Sequence, residues 1–223
     1  MFKLLLSALV MFLVCVSSFA AEYPKVRVEV YYEALCPGCQ AFITGPLTNT
    51  LALADIVAIT DLKMVPYGNT KKNSDGTFTC QHGTDECISD AYELCAEYLL
   101  SGNVSSISTG DTSLQAWPFL QCMELNEGNP SKAQGCFTST LAKTTSLTWN
   151  DITTCYNKEY ATVQGEGAKA TPSHDYVPWV LVDGTLLSNT NLLLPTICKD
   201  YTGPPPASCK KYLAEVPSVC HNN

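Results

Sequence analysis

Two cysteines, Cys36 and Cys39, are separated by two residues and lie shortly after an alternating apolar run from Val26 to Tyr32. Pro37 favours the first turn of a helix, because its missing N–H would have no partner there. Cys36 is therefore predicted just before a helix, where unpaired backbone N–H groups and the helix dipole favour thiolate over thiol. Cys39, one turn later on the same face, could attack a mixed disulfide formed at Cys36. This spacing predicts thiol–disulfide exchange.

A zinc half-site is the main alternative for this pair of cysteines. Zinc would need further ligands, which Cys80 with His82, or Cys87, could formally supply. A leader peptide and many other cysteines favour disulfide chemistry instead, and a CxxC between strand and helix is typical of redox sites. We therefore expect a redox dithiol with no metal and no cofactor. His82 itself is interpreted as a structural hydrogen-bonding residue.

The first 20 residues predict a secretory signal peptide. An early charge, Lys3, precedes an apolar run from Leu4 to Val16, and small residues lead to an expected cleavage after Ala20. The run is shorter than the roughly 20 apolar residues of a comfortable membrane span, so no membrane anchor is expected. The remaining residues, 21–223, are enough for one domain with its own hydrophobic core.

The formal charge of the full chain is −8, with lysines and arginines scattered along it. This charge argues against nucleic acid and anionic membrane surfaces as partners. It is compatible with an acidic compartment, although many extracellular proteins share it.

The chain has 12 cysteines, and 11 remain once Cys15 leaves with the signal peptide. In an oxidising compartment most of them should form disulfides. The structural candidates are Cys80, Cys87, Cys95, Cys122, Cys136, Cys155, Cys198 and Cys209. With Cys220 they number nine, so at least one is free or bonded to another chain, and a disulfide-linked dimer is one outcome. The pairing cannot be deduced from the sequence.

The first part of the chain predicts the opening of a parallel βαβ unit. We expect strands at residues 25–32 and 56–65, joined by a helix at 37–54 that Gly45-Pro46 bends. Residues from about 70 to 170 show no strand-like alternation and predict a helical insertion. Its expected helices span residues 90–100, 114–125, 131–142 and 148–163, the last capped near Asn150 or Asp151. A sequon at Asn103 predicts glycosylation.

Strand character returns at residues 176–187, where Asp183-Gly184 predicts a hairpin. A closing helix at 191–201 and a cysteine-containing tail at 202–223 follow. Pro178 opens this strand, and proline, which cannot donate to a sheet ladder, belongs at a strand's first residue or at an edge. In thioredoxin-like folds a cis-proline occupies this place beside the CxxC. We predict a cis Val177–Pro178 bond and a substrate groove formed by these two residues.

The stretch from Cys80 to Cys95 closely resembles the signature C-Q-H-G-x-x-E-C-x-x-N-x-x-x-x-C of the gamma-interferon-inducible lysosomal thiol reductase family. One position differs, because the family's asparagine is Asp90 here. An ionised aspartate only accepts hydrogen bonds, which puts in doubt any bond that needs an amide donor there. Further resemblance lies in Val65-Pro66-Tyr67-Gly68-Asn69, in Cys122-Met123-Glu124, and from His174 to Val180, and covers nearly the whole mature chain.

This resemblance implies an α/β, thioredoxin-like fold with a helical, disulfide-rich insertion between its βαβ and ββα halves. It also implies an enzyme that reduces protein disulfides in the endosome–lysosome system or outside the cell, with Cys36 attacking and Cys39 resolving. The expected partners are disulfide-bonded proteins and a small thiol or protein reductant. Two other functions stay open: a disulfide isomerase or oxidase, and a secreted, disulfide-rich binding protein whose CxxC is inactive.

Overall fold

The structure is a computed structural model that describes residues 23–102 and 110–215. The expected signal peptide, the sequon at Asn103 and Cys220 lie outside the described residues. None of the helices in the described part of the chain is long and apolar enough to cross a membrane.

The central sheet has four strands. The strands of the described residues are β1 (Val26–Tyr32), β2 (Thr60–Pro66), β3 (Lys71–Lys72), β4 (Phe78–Thr79), β5 (Trp179–Val182) and β6 (Thr185–Leu186). The order in the sheet is β2-β1-β5-β6, with β1 parallel to β2 and antiparallel to β5. The hairpin between β5 and β6 turns at Asp183 and Gly184, both with positive φ, as the sequence predicts. Strand β1 is therefore central, and the loop at its carboxyl end carries Cys36.

Helices cover the sheet and fill the chain between β2 and β5. They are α1 (Pro37–Phe42), α2 (Thr48–Leu51), α3 (Ala54–Val57), α4 (Thr84–Ser101), α5 (Gly110–Leu125), α6 (Ala133–Ser139), α7 (Leu141–Thr144), α8 (Trp149–Ala170), α9 (Leu193–Asp200) and α10 (Ala207–Glu215). Short 3-10 turns at Pro130–Lys132 and Thr190–Leu192 precede α6 and α9.

The helix after Cys36 is bent, as expected. A π-helical turn, Ile43–Leu47, contains Pro46 and joins α1 to α2 without a break in the chain's helical course. Proline cannot donate the usual backbone bond, and a π turn is one of the ways in which a helix accommodates that loss. The buried residues Phe42, Ile43 and Leu47 lie on this bent helix and belong to the main core.

Two strand predictions need correction. The second strand begins at Thr60, not at residue 56, because Ile56 and Val57 form a helical turn whose N–H groups donate to the Leu53 carbonyl. The insertion also contains a short hairpin of β3 and β4. Each of its strands has two residues, too few to produce an alternating pattern.

The insertion is organised by α4, which packs against α5 and α8. Helix α4 begins at Thr84, six residues before the expected start at 90, and so includes much of the Cys80–Cys95 stretch. Helix α8 extends to Ala170, beyond the expected end at 163. Its cap is Thr148 rather than Asn150 or Asp151, and the Asp151 carboxylate accepts a hydrogen bond from the Thr148 backbone N–H.

The eight cysteines expected to be structural form four disulfides, Cys80–Cys87, Cys95–Cys155, Cys122–Cys136 and Cys198–Cys209. The Cys95–Cys155 bond joins α4 to α8, and the Cys198–Cys209 bond joins α9 to α10. Helix α10 is not predicted by the sequence, because the proline-rich stretch before it reads as a break. The disulfide and hydrogen bonds from Ser208 to Asp55 hold this helix against α3.

Candidate active site around Cys36 and Cys39

Cys36 lies at the N-cap of α1, with the extended backbone angles of a capping residue. Its carbonyl accepts the first helical hydrogen bond from the Gln40 N–H, at 3.0 Å. Cys36 and Cys39 are free thiols, and both are buried, with relative exposures of 9% and 0%. This placement agrees with the expectation from Pro37, and it leaves Cys36 as the more accessible of the two sulfur atoms.

The surroundings separate the two thiols chemically. The hydrogen bond from the Cys39 thiol lowers the pKa of Cys36 to about 6, assisted by the backbone N–H groups of Cys39 and Gly38 and opposed by burial. Burial, followed by the hydrogen bond to Cys36, raises the pKa of Cys39 far above that of an ordinary thiol. The surroundings thus favour the thiolate at Cys36 and the protonated thiol at Cys39.

A groove runs beside the two cysteines. The Val177–Pro178 peptide bond is cis, as the sequence predicts. A Cβ built on Gly38 would lie 3.7 Å from Pro178 Cδ and 3.8 Å from the Val177 carbonyl oxygen, so the proline loop packs directly against the CxxC turn. The adjoining open cavity, of about 360 Å³, is lined by Gly38, Phe42, Tyr176, Pro178 and Asn191 among others. Pro178, one of the two residues predicted to form a substrate groove, therefore lines an open cavity.

The signature stretch places His82 beside the site, in a turn closed by the Cys80–Cys87 disulfide. The His82 backbone N–H donates to Glu86 Oε1 at 2.9 Å, and His82 Nδ1 lies 2.5 Å from Glu86 Oε2. His82 Nδ1 is also 3.4 Å from Glu33 Oε2. Burial lowers the pKa of His82, but the hydrogen bond and charge of Glu86, with the charge of Glu33, outweigh it and raise the pKa.

Glu33, Glu86 and His82 are close enough together to be considered as metal ligands. Both Glu86 oxygens accept hydrogen bonds from His82, and Glu33 Oε1 accepts one from the Asn69 N–H, whereas Glu33 Oε2 has no hydrogen-bond partner among the described residues. We therefore interpret it as an imidazole held between two carboxyl groups. His82 thus has hydrogen-bond partners, as the interpretation of the sequence expects, and the structure adds two carboxyl partners that the sequence does not identify.

Three further carboxyl groups, on Asp90, Glu93 and Glu124, are buried behind the cysteines. Burial is the largest cause that raises the pKa of each of them. The Ala34 N–H donates to Asp90 Oδ1 at 2.9 Å, and the Tyr32 hydroxyl donates to Glu93. Neither oxygen of Glu124 has a hydrogen-bond partner among the described residues. Burial therefore favours the protonated form of each of these groups.

The contacts of Asp90 bear on the concern raised by its sequence position. Asp90 is fully buried, and that burial raises its pKa well above the ordinary value. Its Oδ1 accepts the Ala34 N–H, a bond that an asparagine oxygen could equally accept, and its Oδ2 has no hydrogen-bond partner among the described residues. Position 90 therefore uses an acceptor here, which both aspartate and asparagine supply.

His174 lies near the groove but not in contact with the cysteines. Its Nδ1 is 2.8 Å from the Pro172 carbonyl oxygen, and its Nε2 is 3.1 Å from Asn69 Oδ1. Asn69 in turn donates its backbone N–H to Glu33 Oε1. His174 therefore joins the segment before the proline loop to the turn that follows β2.

Comparison with known proteins identifies the family. The family model for gamma interferon inducible lysosomal thiol reductase (GILT) matches residues 27–140. The chain belongs to the GILT family. The gamma-interferon-inducible lysosomal thiol reductase of Carassius auratus is 32% identical over 212 residues, covering 88% of this chain and 77% of that protein. The gamma-interferon-responsive lysosomal thiol protein of Arabidopsis thaliana is 30% identical over 218 residues, covering 92% and 79%.

Solved structures show the same fold. The reduced form of the disulfide bond oxidoreductase DsbG from Mycobacterium tuberculosis superimposes with a TM-score of 0.53 at 19% identity, covering 86% of this chain and 85% of that one. Reduced DsbA from the same organism gives a TM-score of 0.51 at 19% identity, covering 86% and 89%.

The predicted family and fold class are thus confirmed. This GILT-family chain has a thioredoxin-like fold with a disulfide-rich helical insertion. It is a thiol–disulfide oxidoreductase, a disulfide reductase whose substrates are disulfide-containing proteins.

Proposed function

We propose that this enzyme reduces protein disulfides through the Cys36/Cys39 dithiol at acidic pH, in the endolysosomal or extracellular space. The observation that carries this proposal is the free cysteine pair at the start of α1, with backbone N–H groups facing Cys36 and a groove opening beside it. The four other disulfides of the described residues use different cysteines, so this pair is left for chemistry.

The reaction proceeds by two exchanges. The Cys36 thiolate attacks one sulfur of the substrate disulfide and releases the other as a thiolate, which takes up a proton. The buried Cys39 thiol then loses its proton and attacks Cys36 Sγ, releasing the second substrate thiol. The enzyme is left with a Cys36–Cys39 disulfide, and two electrons have passed to the substrate. A small thiol or a protein reductant regenerates the dithiol by the reverse exchange.

The depressed pKa of Cys36 supports activity in acid. With a pKa of about 6, about a tenth of Cys36 is thiolate at pH 5. An ordinary cysteine, with a pKa of ~8.5, would be ionised about 300-fold less at that pH. The enzyme therefore keeps a useful fraction of nucleophile where most thiols are inert.

The compartment is proposed from the sequence and from the relatives. The signal peptide at residues 1–20 would direct the chain to the secretory pathway, and a glycan at Asn103 would give a sorting receptor something to recognise. The relatives from Carassius auratus and Mus musculus are named lysosomal thiol reductases. These observations favour the endolysosome, with secretion as the second destination.

The reduction of insulin disulfides at pH 4.5 and pH 7 tests the proposed activity. We expect catalysed release of insulin thiols at both pH values when a small thiol is supplied, with two more enzyme thiols titrating after mild reduction than in the oxidised protein. Net thiol release separates a reductase from an oxidase, which forms disulfides, and from an isomerase, which reshuffles a scrambled substrate without net reduction. Intact insulin and an unreactive cysteine pair would favour the inactive binding protein.

Replacing Cys39 with serine should trap the reaction halfway. The Cys36 thiolate would still attack, but no second thiol could release the substrate, so a mixed disulfide should accumulate. Non-reducing electrophoresis of the Cys39→Ser variant after incubation with insulin should show a covalent adduct that dithiothreitol removes. The absence of such an adduct, with Cys36 demonstrably free, would count against a resolving role for Cys39.

A further inference from the structure

The Glu33 carboxyl group contacts two segments that take no part in the proposed exchange reaction, the turn after β2 and the signature turn around His82. The turn after β2 wraps one side of it: the Asn69 N–H donates to Glu33 Oε1 at 2.6 Å. Gly68 in this turn has a φ of +48°, and a Cβ there would lie 2.4 Å from Glu33 Cγ. Glycine at position 68 therefore leaves the space that the Glu33 side chain occupies.

The signature turn closes the other side. His82 lies 3.4 Å from Glu33 Oε2 and 2.5 Å from Glu86 Oε2, measured from its Nδ1 atom. The side chains of Glu33 and Glu86 are fully buried, whereas that of His82 is 31% exposed. A charged imidazole thus faces two buried carboxyl groups and exchanges protons with solvent through its exposed edge.

This cluster is joined to the nucleophile. The Cys36 N–H donates to the Glu33 carbonyl oxygen at 3.2 Å, so one turn of chain holds both residues. The titratable groups that act on Cys36 come from several elements: Cys39 from α1, Glu33 from the loop after β1, His82 from the signature turn and Glu124 from α5. Those that act on His82 are Glu86, Glu33 and Cys36 itself.

We propose that His82 and Glu33 are positioning residues that set the ionisation of Cys36 in opposite directions, His82 favouring the thiolate and ionised Glu33 opposing it. The proposal rests on the proposed function, in which Cys36 is the attacking nucleophile. It assigns a task to the signature histidine and to a glutamate that lies outside the recognised motifs.

The charges explain why this arrangement suits acid. Burial, and then the charge of Glu86, raises the pKa of Glu33 to about 7, so at pH 5 Glu33 is neutral while His82 is charged. At that pH the charges of these two side chains therefore favour the thiolate form of Cys36. As the pH rises past 7, Glu33 ionises and His82 loses its proton, and both changes oppose the thiolate. The cluster therefore assists Cys36 most where a thiolate is hardest to form.

The test is the pH profile of Cys36 alkylation in the reduced full-length protein. Iodoacetamide reacts with the thiolate, and mass spectrometry of the Cys36 peptide gives its rate between pH 4 and pH 9. In His82→Gln the midpoint should rise by about one pH unit, and the rate at pH 5 should fall by up to tenfold. In Glu33→Gln the profile below pH 6, where Glu33 is already neutral, should hardly change, whereas the rise to the plateau above pH 6 should become steeper, because no carboxylate then forms beside the thiolate. The amide oxygen can still accept the Asn69 N–H.

The matched control is Glu93→Gln, another buried carboxyl-to-amide change, whose partner is Tyr32 rather than the His82 cluster. It should leave the midpoint in place. If the cluster had only a structural role, both test variants would change the alkylation profile in the same way, or neither would change it more than the control does. Either result would overturn the proposal. If His82→Gln does not fold, as judged by circular dichroism, the Glu33→Gln arm decides alone: a profile above pH 6 that is no steeper than that of the wild type overturns the proposal.

This readout is independent of turnover. Failure of the proposed function would appear as no insulin reduction by the wild-type enzyme. Failure of the present inference would appear as an active wild-type enzyme whose alkylation profile ignores both substitutions. The two results cannot be confused.

Discussion

Replacing Cys36 with serine is expected to reduce the rate of insulin disulfide reduction to below about a thousandth of the wild-type rate. The serine hydroxyl is not ionised in the working range and cannot form a disulfide with the substrate or with Cys39. Cys39 cannot take over the attack, because it is fully buried and burial holds its pKa far above the ordinary range. Catalysed thiol release, followed with a chromogenic thiol reagent at pH 4.5 and pH 7, measures the loss.

The control for this change is Cys220→Ser, which removes a cysteine outside the described residues and should leave the reductase activity unchanged. Circular dichroism and the melting temperature should show that Cys36→Ser is folded, since the side chains are similar in size. Substantial activity in a folded Cys36→Ser enzyme would refute the assignment of the nucleophile.

The second large effect concerns stability. The free energy of unfolding should fall by about 2 kcal/mol or more between pH 5 and pH 7.5, whereas many proteins are most stable near neutrality. Burial raises the folded-state pKa values of Asp90, Glu93 and Glu124, and brings that of Glu33 to about 7. In the unfolded chain these groups titrate near pH 4.

The sign follows from proton counting. Between about pH 4.5 and pH 7 the folded state holds protons that the unfolded state has released, so raising the pH favours unfolding. The stabilisation is complete below the unfolded-state pKa and is lost as the pH rises through the folded-state values. His82, whose pKa is also raised, acts in the same direction. Cys36, whose pKa is lowered, acts in the opposite one, so the measurement should use Cys36→Ser to remove its titration.

Urea unfolding at a series of pH values measures how steeply the free energy of unfolding falls with pH. Asp90→Asn and Glu124→Gln, each made in the Cys36→Ser background, should flatten this dependence, because an amide has no proton to lose, and should raise stability at pH 7.5. Asp85→Asn is the control, since Asp85 is an exposed carboxylate at the start of the same helix as Asp90. A stability that is flat or rises between pH 5 and pH 7.5 would show that these carboxyl groups ionise freely in the fold.

Most of the fold could be predicted from the sequence, because its main signals are local. The alternation in β1, the Gly45-Pro46 bend and the Asp183-Gly184 hairpin each depend on a few neighbouring residues. The failures have local causes as well. Helix α10 follows a proline-rich break, and only its disulfide and its contacts with Asp55 show that the chain turns back to the domain.

Less of the active site could be predicted from the sequence. Cys36, Cys39 and Pro178 carry recognisable chemistry at recognisable spacing, and they could be named from the chain alone. Glu33 could not, and Glu124 was visible only as part of the Cys122-Met123-Glu124 resemblance, because the environment of both residues depends on burial, which a single charged residue in a sequence does not reveal. A clue was present nevertheless: Glu33 interrupts an apolar stretch three residues before Cys36. His82 was visible as a residue, but its partner Glu33 is 49 positions away in the chain.

The four disulfides have a further consequence for an enzyme that works in the presence of reductant. Each of them contains at least one buried cysteine: Cys80, Cys95, Cys136 and Cys209 are between 0% and 6% exposed. A thiol must reach a sulfur atom before it can break the bond, so burial slows the attack of reductant on these bonds. The enzyme can thus reduce the disulfides of its substrates and be reduced again by small thiols while its own four disulfides stay intact. Self-protection of this kind is a requirement for any reductase that is itself built on disulfides.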